Sequence, residues 1–547
     1  MIREVDRLTA RTFDVLVVGG GIHGLTIACD AAQRGLSVAL IERDDFGSGA
    51  SFNHLRTIHG GLRYLQSLDF RRARESVRER RTIARIAPHA VEPVPFALPI
   101  YRSLTRGKLV MRAGFLLDRI VGVGRNRGIP ATHRLRGGRV YWRGSAIQNF
   151  PGLKRQGLRG AAVWYDYITL EPDRLTFSWA IAAHEHGAVL VNHVEAIEPL
   201  KRGTRIEGCR ARDTVDGRTF EIAAHVTVNA TGGSADALLK PIGVTAGVPM
   251  LKAMNLVTRR DAGEEALGGR SKAGRNLFMV PWRERAVFGT WESHRVCEPG
   301  DASIDHGDLA AFIADLNYAF PALDLSPADV TLVHRGVVPA ATRGDTAIPQ
   351  GREMIRDHAS HGSGGGTVDG LVTVAGTKYT TARAVAERVT DLLLRKLQRP
   401  AVPCKTASTV LPGGSIRDVG LAIADARREH DEGLPTDTIP HLIAAYGSRF
   451  RDVLDLTNNR PELKKRVAAG SPVIGAELVL AARREMVVTL ADAMIRRTPI
   501  GAVGHPGDEA IRRAADLVGA ELKWSEERKR AEIEDVKRFY SAVVVKS

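Results

Sequence analysis

Residues 13–42 read FDVLVVGGGIHGLTIACDAAQRGLSVALIE. Phe13 to Val18 is a short apolar run rich in β-formers, long enough for one buried strand. Gly19, Gly21 and Gly24 follow with G-x-G-x-x-G spacing. An amphipathic stretch runs to Arg34, Gly35 can end that helix, and Ser37 to Ile41 is a second apolar strand with Glu42 at its carboxyl end. This spacing predicts a βαβ unit that binds a dinucleotide. Gly19 permits the tight turn, Gly21 lets the backbone approach a pyrophosphate, and Gly24 lets helix and strand pack closely. The phosphates face N–H groups at a helix N-terminus, and Glu42 accepts hydrogen bonds from a ribose. The glycine triplet alone is weak evidence; here strand, helix, strand and acid stand in register.

A chain of 547 residues folds as two to four domains. Aromatic residues make up 5%, which argues against a stacking platform for single-stranded nucleic acid. Cys29, Cys209, Cys297 and Cys404 form no C-x-x-C pair, so neither a zinc site nor a disulfide framework is expected, in keeping with a reducing cytoplasm. The amino end, MIREVDRLTARTF, lacks the apolar core of a secretory signal, and no run approaches the roughly 20 apolar residues of a spanning helix. The expected location is cytoplasmic, with peripheral attachment to the inner face of the membrane left open. The net charge of +16 favours anionic partners: a phosphorylated substrate, acidic lipid or nucleic acid.

Arg43 to His59 is small and polar and reads as a loop over the bound nucleotide. It leads into IHGGLRYL, residues 58–65, where adjacent Gly60 and Gly61 beside His59 and Arg63 suit a backbone lying against a flat ring. Phe70 to Ile86 reads as a charge-rich helix, and Pro88 to Pro99, with four prolines, as extended connections. Tyr101 to Arg143 carries eleven Lys or Arg and one acid, Asp118. Its core, GKLVMRAGFLLDRIVGVG, fits either a core-packed helix with a basic outer face or an interfacial helix on anionic lipid. A helix is expected from Leu175 to His186 with Asp173 as N-cap. HVTVNATG, residues 225–232, reads as a strand and turn in which Ala230 and Gly232 admit a close approach. Pro249 to Trp291 reads as an antiparallel sheet, and His361 to Gly370 as a glycine-rich turn. Val372 to Ala375 is a strand, GTKYTT follows at 376–381, and a helix begins at Ala382. That helix N-terminus, with Lys378, favours negative charge before it. Thr380 is its expected N-cap, and the chain beyond Pro412 turns helical.

IHGGLRYL, at this distance from the dinucleotide unit, resembles the FAD-dependent glycerol-3-phosphate dehydrogenases, which have a glycine-oxidase-like fold. GTKYTT is similar to the family's G-G-K-x-T-T, with Thr377 for the second Gly, and VNATG, FMVPW with FGT, and REMVVTLADAMIRRTPIG also match. The resemblance implies an α/β chain with three parts: a discontinuous Rossmann-like FAD-binding domain (1–85, 150–245 and 330–400), an antiparallel-sheet substrate domain with a membrane-facing segment (86–149 and 246–329), and a helical C-terminal domain (401–547). It implies that FAD lies against Gly19, Gly21, Gly24, Glu42, Arg43, Ser51, Thr57 and His59, and Gly60, Gly61, Leu62 and Val194. Ala230, Thr231, Gly232, Gly376, Thr377, Lys378, Tyr379 and Thr380 complete that set.

The implied reaction oxidises the secondary alcohol of glycerol 3-phosphate, or a close polyol phosphate, to dihydroxyacetone phosphate. Hydride passes to flavin N5, and a quinone or oxygen takes the electrons. Arg63 and Arg356 would grip the phosphate, and His59, then Lys378, would take the hydroxyl proton. No metal and no nucleic acid are expected; an anionic membrane surface and a homodimer remain open. The sequence departs from the family at two points. Asn255 stands where the family usually has a histidine, and Val338 where a G-x-R-P arginine binds phosphate, with Arg335 and Arg343 nearby but out of register. A related FAD enzyme acting on another hydroxy acid, amine or polyol phosphate therefore stays open. So does a basic nucleic-acid- or lipid-binding protein on a vestigial nucleotide fold. NAD as sole cofactor would leave IHGGLRYL without a role.

Overall fold

Phe13–Val18 forms β1, Ile22–Gln33 forms α1 and Val38–Ile41 forms β2, the unit expected from the opening motif. The computed structural model describes residues 1–66, 68–101, 107–343, 346–349, 351–360, 367–430 and 433–541. The expected glycine-rich turn at His361–Gly370 lies largely outside them. β1 pairs in parallel with β2 on one side and with Thr219–Asn229 on the other. Val189–Val191 adds to β2 and Leu371–Ala375 to Thr219–Asn229, both parallel; Met354–Asp357 closes that edge antiparallel. Chain order thus reverses direction across the sheet at β1. In such sheets ligands bind beyond the carboxyl ends of the strands at this switch point. β1 and β2 are apolar along nearly their whole length because helices cover one face and a small antiparallel layer the other. α1 is buried almost all round because it packs between Pro172–Glu185 and Ala382–Lys396.

A second, mixed sheet stands beside the first. Met250–Thr258, labelled β3, lies between Arg285–Glu292 and the long strand Val330–Arg343, labelled β4. Two side-chain faces follow from this register. Leu256 and Met254 of β3 pack with Phe288 and the helix His306–Ala319. Val257 of β3 and Leu332 of β4 pack with Phe52 and the carboxyl-terminal helices. The helical end of the chain therefore shares a core with this second sheet.

Three expectations change on contact with this fold. Val91–Ile100 is a ten-residue strand, not a set of connections. Pro93, Pro95 and Pro99 share one parity, so the donors they lack fall on one edge while the strand pairs along its full length with Gly160–Thr169. Glu171, not Asp173, is the N-cap of Pro172–Glu185, because Pro172 takes the first helical position. Thr381, one residue later than expected, caps Ala382–Lys396. Lys108–Val121, labelled α2, is a helix with only Phe115 buried. Among the described residues no helix is long and apolar enough to cross a membrane.

Candidate active site

The first turn owes its shape to contacts no side chain could share. Gly19 has φ +108°, and a Cβ there would lie 2.6 Å from the Ala230 carbonyl oxygen. A Cβ on Gly24 would lie 1.9 Å from the Gly19 carbonyl oxygen. Gly24 is thus a packing residue and does not line the site. Gly21 opens into space bordered by Ser51 Oγ, which accepts the Ile22 N–H at 2.9 Å and so caps α1. Glu42 accepts the amides of Gly20 at 2.6 Å and Asp44 at 3.0 Å, and burial raises its pKa against those bonds.

A cavity of about 1270 Å³ opens from this turn. Gly21, Glu42, Gly61 and Lys378 all line it, as do Arg43, Ser51, Thr57, His59, Leu62 and Val194. The strand-end residues Ala230, Thr231 and Gly232 line it too, with Gly376, Thr377, Tyr379 and Thr380. The amino-terminal turn and the two later glycine-bearing segments therefore converge on one space. His59 N–H donates to Thr380 Oγ1 at 3.3 Å, which ties those two segments directly. The cavity borders the N-terminus of α1 at Gly21, Ile22 and His23 and the turn before Ala382–Lys396 at Gly376 to Thr380, and two helix N-termini suit an anionic nucleotide. Gly21 and Gly232 supply the bare backbone such a ligand needs. The residues present fit FAD.

Gly60 takes a different place from the one the motif suggested. Its amide donates to Asp166 Oδ1 at 2.7 Å, and a Cβ would lie 2.3 Å from Arg80 Nη1. Arg80 and Asp166 form a buried ion pair, and Asp166 Oδ2 also accepts Trp164 Nε1–H at 2.9 Å. Gly60 is therefore the contact between the IHGG turn and a charged brace beneath it. Lys378 is buried, with Nζ 3.5 Å from Glu353 Oε1 and 4.6 Å from the Tyr64 ring. Burial would raise the Glu353 pKa, but Lys378 and the Thr381 hydroxyl outweigh it and hold it below the usual value.

Arg356 departs from its expected place. It lies on the antiparallel edge strand, its Nη1 donates to the Thr245 carbonyl at 3.4 Å beside Gly247, and it does not line the cavity. Arg63 opens the helix Arg63–Gln66 directly after the cavity residue Leu62; its side chain lies outside the described residues. The side chain of Arg343 also lies outside them.

Asn255 and Arg335, noted in the sequence only where it departs from the family pattern, enter the site, as do His23, His54 and Arg496, to which the sequence assigned no role. Asn255, 4% exposed, lines the cavity, gives Nδ2–H to the Asn53 carbonyl at 2.7 Å, and leaves Oδ1 without a hydrogen bond. His23, inside the glycine motif, has a buried Nε2 with no hydrogen-bond partner, and burial lowers its pKa to about 4. His54 stacks on Tyr379 at 4.7 Å, and Arg335 and Arg496 also line the cavity. Arg496 lies in REMVVTLADAMIRRTPIG, whose resemblance marks only the helical domain.

A family model described as FAD dependent oxidoreductase matches residues 14–392. A second, described as the C-terminal domain of alpha-glycerophosphate oxidase, matches residues 404–529. A glycerol-3-phosphate dehydrogenase of Synechocystis sp. is 31% identical over 550 residues, covering 96% of this chain and 96% of its own length. One from Mycobacterium leprae is 32% identical over 546 residues, covering 95% of this chain and 87% of its own. Among solved structures, the glycerol-3-phosphate dehydrogenase from Bacillus halodurans complexed with FAD aligns with a TM-score of 0.77 at 24% identity. That alignment covers 99% of this chain and 97% of that one, and it shows the fold.

Proposed function

The chain belongs to the FAD-dependent oxidoreductases, and among them to the glycerol-3-phosphate dehydrogenases; from that premise we propose that it oxidises the secondary alcohol of glycerol 3-phosphate, or a close polyol phosphate, to the ketone, dihydroxyacetone phosphate. The observation that carries the reading is the meeting of Gly21, Gly61 and Lys378 in one cavity. FAD, when bound, supplies the acceptor for the hydride leaving the carbinol carbon. The protein's task is to orient the alcohol, take its proton and balance charge. His59 is the proton acceptor in this reading, its backbone fixed to Thr380. Arg63 and Arg335 hold the phosphate, since a guanidinium fork matches its oxygens. Lys378 and the N-terminus of Ala382–Lys396 add positive potential where negative charge accumulates on reduction.

Anaerobic bleaching of the flavin band near ~450 nm against a panel of polyol phosphates, hydroxy acids and amines tests the proposal. Glycerol 3-phosphate is expected to bleach it. Bleaching by a hydroxy acid or amine while glycerol 3-phosphate leaves the band intact would move the enzyme to the alternative substrate class.

The electrons pass to a quinone at an anionic membrane in this proposal, and the support is α2. Leu109, Leu116 and Ile120 stand on it 79%, 61% and 63% exposed. Lys108 Nζ lies 3.6 Å above the ring of the exposed Trp142, and Met111 reaches the cavity wall. An apolar strip edged by cations suits the headgroup boundary of an anionic bilayer. Flotation with anionic liposomes at low salt should recover the protein, and Leu116→Glu should abolish recovery. Indifference to both lipid and mutation, with hydrogen peroxide formed in air, would favour oxygen as acceptor.

A further inference from the structure

Arg496 and Arg497 are neighbours with opposite fates. Arg497 is fully buried and bonds both carboxylate oxygens of Asp45, with Nη2 at 2.8 Å from Oδ1. Arg496 lines the cavity, lies 3.9 Å above the Phe52 ring, and has a buried Nη1 with no hydrogen-bond partner. Four carboxylates act on Arg496 electrostatically: Asp173, Asp45, Asp492 and Asp44. Three are committed elsewhere. Asp45 is held by Arg497 and Asn192. Asp492 accepts from His193 at 2.9 Å and from the amides of Val488 and Thr489. Asp44 lies 3.4 Å from Arg43. Asp173 makes no ion pair with Arg496, and burial pushes its pKa up to about 6.

A second guanidinium touches the same ring. Arg56 is 0% exposed and lies 5.3 Å from the Phe52 centroid. It donates to the Phe52 carbonyl at 2.7 Å and faces His334 Nε2 at 3.2 Å, with no carboxylate in ion-pair range among the described residues. Arg496 at the cavity wall and the buried Arg56 thus both lack a direct ion-pair partner, and the buried Asp173 acts on both only from a distance. Burying a charge without a partner is unfavourable, and an anion brought into the cavity would relieve it.

We infer that Arg496, supplied by the helical C-terminal region, is an anion ligand of the cavity and takes a phosphate oxygen of the bound molecule. Arg56, behind Phe52, is a positioning residue that holds the ring and adds to the field. The phosphate belongs either to the pyrophosphate of FAD or to the phosphorylated substrate. The first source rests on the cofactor assignment, the second on the proposed substrate.

The test compares Arg496→Met and Arg496→Lys with the wild-type holoenzyme. FAD release on dilution, read by flavin fluorescence without substrate, reports the cofactor source and stands even if glycerol 3-phosphate proves to be the wrong substrate. KM for glycerol 3-phosphate at full FAD occupancy reports the substrate source. Arg496→Met is expected to weaken one of the two by about 10-fold or more, the size of a charge-assisted contact. The same variant, freed of ligand, should melt above the wild type, because a buried charge with no ion-pair partner has been removed. Arg496→Lys should recover part of the binding without that gain in melting temperature. FAD release and KM both within about twofold of wild type in Arg496→Met would overturn the inference, and so would a variant that does not fold, since that marks Arg496 as structural.

Discussion

The two ends of the cavity are built from different material. Toward the glycine turn, where we propose the nucleotide to lie, the lining is bare backbone: Gly19, Gly21 and Gly232. On the side where we propose the substrate to lie, the lining is made of side chains, His59, Lys378 and Asn255, delivered by segments far apart in the chain. Backbone contacts tolerate almost no change, because a single Cβ closes them. Side-chain contacts can be traded among neighbouring positions. That difference fits an intact G-x-G-x-x-G turn beside Val338 and Asn255, the two departures the family resemblance implies.

The sharpest way to break this contrast is at the joint between the two ends. Asp166→Ala leaves Arg80 charged and buried and frees the Gly60 amide. A loss of about 3–5 kcal/mol in urea unfolding is expected, with FAD and activity lost together. A loss of activity alone would mean the brace serves only one end. His59→Asn, on the substrate side, should lower kcat by about 100-fold or more while flavin content stays whole. Released FAD would move His59 to the nucleotide end. Gly24→Ala should cost about 2 kcal/mol, because the new Cβ meets a carbonyl oxygen that cannot turn away, and FAD occupancy should fall with it. A fully flavinated Gly24→Ala variant would show that the turn is less rigid than its geometry requires.

A separate effect concerns pH. Burial depresses His23 from 6.5 to about 4, so between those values the unfolded chain binds more protons than the native one. Stability is full above pH 6.5 and falls as the pH drops toward about 4, by up to about 1.4 kcal/mol per pH unit. Thermal melts of His23→Gln across that window should show a flatter acid limb. An unchanged slope would assign the acid sensitivity to another buried histidine, such as His89, whose pKa burial also lowers to about 4.

The same contrast governs what could be read without coordinates. The βαβ unit was legible because each glycine answers a steric demand of its own immediate neighbours. The helix Phe70–Ile86 was legible at both ends, since Asp69 caps it by accepting the Arg72 amide and the chain after Ile86 meets a proline. Arg356 was misplaced because a motif fixes a position in the chain but not the face of an edge strand. Arg496 stayed hidden because its meaning depends on Phe52, and nothing local links two positions so far apart. Arg56, a charged residue in a polar loop, gave no hint that it would be fully buried.

β1 has its two sheet neighbours at very different distances along the chain. β2 emerges soon after it, but the strand on its other side pairs Phe13 with Ala224, and Leu371–Ala375 must then add to that strand. On the ribosome, β1 therefore waits with an open edge until Thr219–Asn229 has emerged, and that strand waits in turn while Met250–Thr258, Arg285–Glu292 and Val330–Arg343 are translated. Such edges recruit other chains. Flavin capture becomes an event of the nearly finished polypeptide, and amino-terminal fragments ending before Leu371 should aggregate rather than turn yellow.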